Sequence, residues 1–115
     1  MKDQNIIRER YLQDNVPTRL GGLAANLSRI NSFSGHDANQ ETVGRLLDES
    51  KLFIEWTAAE TEIDTAAELV ELQIQLAQWR LDWSRIWVNT SQRRQVAEKA
   101  IQWSRRVLEL SGLLG

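Results

Sequence analysis

Between Ile63 and Val88 the chain runs IDTAAELVELQIQLAQWRLDWSRIWV, with no proline or glycine and with three of its five tryptophans. Helix-forming residues fill the stretch almost throughout, so it reads as one long helix. Placed at 100° per residue, its apolar side chains fall into two stripes rather than one. Ile63, Ala66, Ala67, Val70, Ile74, Ala77, Leu81, Ser84 and Val88 form the first. Leu69, Leu72, Leu76, Trp79, Trp83 and Trp87 form the second. The apolar arc is about 220° wide, whereas a surface helix needs little more than 100°. A helix of this kind must be covered on two sides. The first stripe suffices for a bundle core, so the second is expected to meet another cover.

The flanking segments read as further helices. Residues 3–13 form a short amphipathic helix through Ile6, Ile7, Tyr11 and Leu12, and Pro17 interrupts it. Asp14 or Asn15 then caps a helix over 17–33, where Leu20, Leu23, Leu27 and Ile30 recur at 3–4–3 spacing. Gly21, Ala25, Ser28 and Ser32 line up beside them as a ridge of small residues, which predicts close approach of a neighbouring backbone. Gly35 is placed to end this helix in the left-handed conformation. A third helix spans 38–56, with Val43, Leu46, Leu47, Phe53 and Ile54 on its apolar side. The capping box Thr57 to Glu60 starts the long helix near residue 58, giving 58–88 and a length of about 46 Å at 1.5 Å per residue. A last helix covers 92–111, with Gly112 as its cap. Helices joined by short turns predict an all-α single domain over 1–115, an antiparallel up-down four-helix bundle with a short extra N-terminal helix.

Several function classes are disfavoured. The chain has no cysteine and one histidine, His36. That removes thiolate metal sites, disulfide frameworks and the Glu-x-x-His pairs of di-iron bundles, so no metal or cofactor is expected. His36 follows Gly35 in a turn and reads as a solvated loop residue. Its spacing from Arg29 formally resembles the Arg-x4–6-His of HEPN ribonucleases. However, Ile30 stands where that motif is polar, and Gly35 carries His36 off the helix face. No catalytic residues are assigned. The N-terminal MKDQNIIRERYLQDN is too charged for a signal peptide, and no apolar run reaches the roughly 20 residues of a membrane span. The expectation is a soluble cytoplasmic protein that does not contact membranes.

Charge is distributed unevenly around a net of −2. From Asp37 to Glu71 ten acids face two bases, and from Arg80 to Arg106 seven bases face two acids. Either the two halves fold side by side and cancel, or the basic half meets a polyanion. The candidate polyanion contacts are Arg80, Arg85, Arg93, Arg94, Lys99, Arg105 and Arg106. Arg93 and Arg94 sit in the first turn of a helix, against its dipole, which suggests Asp48, Glu49 or an anion as a partner.

The segments LAANLSRINSFS (23–34) and LLDESKLFIEWTAAETEIDTAAELVELQIQLAQW (46–79) resemble small helical proteins of cyanobacteria for which no activity is known. The resemblance implies a helical fold and supplies no site residues. The leading expectation is a non-enzymatic interaction or regulatory protein acting through protein–protein contacts as a homodimer. Its interface is expected at Leu72, Leu76, Trp79, Trp83 and Trp87, with an aromatic anchor near the centre. Nucleic-acid or other polyanion binding is the alternative. A small-ligand cleft lined by tryptophan is a third, without a polar anchor.

Overall fold

Capping residues and a few side-chain hydrogen bonds set the boundaries in the computed structural model, which describes residues 4–114. The described residues are helical, without strands: α1 (Gln4–Leu12), α2 (Val16–Phe33), α3 (Gln40–Thr57), α4 (Ile63–Leu81), α5 (Trp83–Val88) and α6 (Thr90–Ser111). Two 3-10 turns precede α3 and α4, at Asp37–Asn39 and Ala58–Glu60. Asp3, the expected first helical residue, lies outside the described residues.

Of the two candidates, Asp14 and Asn15, it is Asn15 that caps α2, its side chain accepting from the Thr18 N–H at 3.0 Å, with Pro17 in the first turn. Gly112 ends α6 with φ at 74°, a conformation that costs glycine little. Gly35 does not play that part for α2. Ser34 closes that helix in the right-handed region, with its N–H and its hydroxyl both donating to the Ile30 carbonyl, and Gly112 alone among the described residues has positive φ.

The long helix is broken. Thr57 makes no capping bond, residues 58–60 form a 3-10 turn, and the extended Glu62 leads into α4 instead. A second break falls at Asp82, at φ −103° and ψ 19°, whose carbonyl accepts from both Arg85 and Ile86 and restarts the chain as α5. A straight helix of about 46 Å would exceed the molecule, which measures 37 × 32 × 21 Å. Two indoles hold the redirected segment. Trp83 Nε1 donates to the Gln40 carbonyl at 2.9 Å and Trp87 Nε1 to the Asp37 carbonyl at 3.1 Å.

Packing radiates from α2. It lies along α6 more extensively than along any other element, and next along α3, while α3 packs on α4 and α4 barely touches α6. The α2–α6 seam is close because its residues are small. Ser104 Oγ donates to the Ala24 carbonyl and Asn31 Nδ2 to the Ala97 carbonyl, each at 2.8 Å, so side chains of one helix reach the backbone of the other. A Cβ on Gly21 would stand 2.9 Å from Leu113 Cδ1. Of the expected ridge, Ser32 is exposed, and the buried small residue at this contact is Ala24. Ala24→Leu should therefore overpack the seam and destabilise by about 1–3 kcal/mol, read as a lower urea midpoint at unchanged slope.

The N-terminal helix is fastened to the rest by a buried cation. Arg19 is buried, with Nε on the Asp14 carbonyl (2.8 Å), one terminal nitrogen on the Leu12 carbonyl (3.3 Å) and the other on Glu60 (2.6 Å). It thereby satisfies carbonyls left open at the end of α1. The Tyr11 hydroxyl donates to the Arg19 carbonyl at 2.6 Å, and its ring stacks on Phe53 with centroids 3.9 Å apart. Burial pushes the Tyr11 phenol up to about 12. A folded-state value above the ordinary 10 means that the stabilisation is complete below about pH 10 and is lost as pH rises towards 12. Tyr11 is the only tyrosine. Absorbance at phenolate wavelengths should therefore titrate near 12 in folded protein and near 10 in urea, and Tyr11→Phe should flatten the loss of melting temperature across that interval.

Candidate interaction surface

Which stripe of the long segment turns inward is decided by how much each can bury. Three leucines and three tryptophans offer far more apolar area than a stripe diluted by three alanines and a serine, since each aromatic alone contributes 150–250 Å². The Leu/Trp stripe wins. Leu69, Leu72 and Leu76 are 0% exposed, and Trp79, Trp83 and Trp87 are at most 7% exposed. Leu72, Leu76, Trp79, Trp83 and Trp87 thus lie in the chain's own core and present no surface to a second protomer. The expected interface is corrected on this point.

The other stripe is left outside. Ile63 is 85% exposed, Val70 44%, Ile74 54%, Leu81 87% and Val88 78%, and Ala67 and Ala77 are exposed with them. The N-terminal helix leaves these side chains exposed: Tyr11 is taken up by Phe53 and Trp56 on α3, and Gln4 borders the groove beside Ile74 and Ala77. On one flank Gln73 donates to the Lys51 carbonyl at 3.1 Å and Arg80 pairs with Asp48, fastening α4 to α3. The other flank carries Asp64, Glu71 and Gln78, all exposed. Between α3 and α4 runs an open groove of about 850 Å³, bordered by Leu52, Glu55, Ala59, Ile74 and Ala77.

The seven candidate bases do not form one cluster, although Arg85 and Lys99 border one shallow space and Lys99 and Arg106 another. Arg80 bonds Asp48 through Nε at 3.1 Å. Arg85 pairs with Asp82 at 3.2 Å. Arg93 takes Asp37 at 2.8 Å and lies 4.6 Å over the Trp87 ring, so neither Asp48 nor Glu49 is its partner. Arg106 grips Glu68 through two bonds of 2.8 Å, which hold the carboxyl below its ordinary range and strengthen the guanidinium's hold on its proton. Arg94, Lys99 and Arg105 are exposed, but Glu98 sits between Arg94 and Arg105 on the helix surface and Lys99 lies on another face. The acidic and basic halves of the sequence therefore pair with each other across α3–α4, α4–α6 and the turn before α3.

Sequence reasoning overlooked Gly44. A Cβ there would stand 2.6 Å from an Arg80 terminal nitrogen and 3.3 Å from Trp83 Cδ1, so α3 leaves space at this point for Arg80 and the indole to cross it. The signal was available, since a glycine inside an otherwise regular helical period costs about 1 kcal/mol and calls for a packing reason. The tryptophan cleft exists as a shallow space of about 270 Å³ lined by Trp79, Arg85, Gln92 and Lys99. Among the described residues, the buried Ser50 hydroxyl has no hydrogen-bond partner, and it lies on α3 and does not line this space. His36 is exposed beyond the end of α2.

No family model, curated protein or solved structure matches the chain. Among the described residues, no helix is long and apolar enough to cross a membrane. The surface itself must carry the functional argument. Its two stripes separate experimentally: Trp83→Ala should cost about 3–5 kcal/mol in urea unfolding of dilute protein, and Leu81→Ala less than about 0.5 kcal/mol.

Proposed function

We propose that this chain is a small non-enzymatic interaction module that acts through protein–protein contacts on the uncovered face of α4. The observation that carries this is the row Ile63, Val70, Ile74 and Leu81, large apolar side chains left in water beside a fully formed core. Monomers rarely leave a contiguous patch of this kind open without using it. The framework behind it reads as an up-down four-helix bundle with an extra N-terminal helix, its third helix broken at Asp82. Contacts along neighbouring helices run in opposite senses: Gly21 meets Leu113, Ala24 meets Ser104 and Asn31 meets Ala97, while Lys51 meets Gln73, Asp48 meets Arg80 and Gln40 meets Trp83. A cysteine-free chain suits a reducing cytoplasm.

The polyanion alternative is the weaker one, because four of its seven bases already hold carboxylates. Binding of that kind would fall steeply with salt. Photo-crosslinking tests the main proposal directly. A benzophenone side chain placed at Ile74 should give protein adducts in the native cell, and the same group at Arg94 should not. Equal labelling at the two positions, or none at Ile74, would overturn the proposal.

A further inference from the structure

The exposed residues of α4 follow a stricter pattern than a patch requires. Ile63, Ala67, Val70, Ile74, Ala77 and Leu81 are spaced 4–3–4–3–4, the seam along which two helices pair. The seam is also symmetric about residue 72. Reversing its direction sets Ile63 opposite Leu81, Ala67 opposite Ala77, and Val70 opposite Ile74, so large meets large and small meets small at every level. A two-fold interface demands this property, because residue i must accept j while j accepts i. The alanine pairs permit close approach, and the branched side chains fill the space between them.

Charge favours the same arrangement more weakly. Glu62 and Asp64 are exposed at the N-terminal end of the seam, whereas at the C-terminal end Arg80 and Arg85 are already held by Asp48 and Asp82. Parallel pairing would put acid beside acid and align the helix dipoles unfavourably. The four large seam side chains expose on the order of 500 Å² of surface, at the upper end of what monomers carry. That area is below the roughly 800 Å² per partner of a standard interface, which places the dimer in the weak, concentration-dependent range.

We infer that the occupant of this face is a second copy of the chain, whose α4 packs on the first in the opposite direction about a two-fold axis near residue 72. The inference rests on the interaction role proposed above. One residue opposes it in a predictable way: Glu71, on the seam's edge beside the axis, comes close to its own counterpart. Glu71→Gln should therefore tighten association by about two- to fivefold. A basic peptide bound to the same face would be weakened by that change.

The decisive experiment uses the full chain in sedimentation equilibrium over about 1–100 µM. The parent should reach twice the chain mass. Ile63→Lys and Leu81→Glu, each with unchanged helicity because both sites are exposed in the single chain, should each shift the equilibrium towards monomer. Mixing the two variants should restore a heterodimer, since position 63 of one copy faces position 81 of the other. A dimeric parent whose variants do not rescue each other would overturn the antiparallel seam. A monomeric parent at 100 µM would overturn the second copy altogether, and crosslinks at Ile74 to a different protein would then leave the interaction role standing alone.

Discussion

The structure depends on a competition between two faces of one segment for a single core. Leu69, Leu72, Leu76, Trp79, Trp83 and Trp87 occupy it, and the start of α3 is tied to them through two indole hydrogen bonds. Indoles are large and carry one N–H that must find an acceptor when buried. For Trp83 and Trp87 the acceptors are the carbonyls of Gln40 and Asp37, near the start of α3. Meeting both requires the chain to turn at Asp82, so the break in the helix follows from the choice of face. Gly44 leaves room for the Trp83 ring as α3 passes it.

Electrostatics then follows packing. With α4 laid on α3, Arg80 reaches Asp48, and with α5 held at the start of α3, Arg93 reaches Asp37 and covers the Trp87 ring. Glu68 and Arg106 bridge the thin contact between α4 and α6. Exposed pairs of this sort contribute little to stability one by one. Their effect is on the surface: they reduce the contrast between the acidic and basic halves of the sequence by pairing Asp37, Asp48 and Glu68 with Arg93, Arg80 and Arg106.

Much of this was legible in the residues. The all-helical class, the Asn15 cap, the Gly112 cap and a segment apolar on two sides all follow from spacing and punctuation. The assignment of the two sides did not. Periodicity reports that a stripe exists and is blind to which stripe is inside. The decision lay in side-chain size, and weighing three tryptophans against three alanines would have placed Trp79, Trp83 and Trp87 in the core. The turn at Asp82 was hidden for a different reason, because Trp83 finds its acceptor on Gln40, forty-three residues away in the sequence. Gly35 misled in the ordinary way, since Ser34 ends α2 through its own hydroxyl and a left-handed glycine is not needed.

Thiol reactivity tests the central claim most directly, because the native chain has no cysteine to interfere. Single cysteines at Ile74 and at Leu76 sit two residues apart on α4, one on each face. In dilute, folded protein the account predicts that Ile74→Cys alkylates within about tenfold of the unfolded rate, whereas Leu76→Cys is protected by at least about a hundredfold, as expected for a site that reacts only through unfolding. Protection at position 74 with free reaction at position 76 would mean that the faces are assigned the wrong way round.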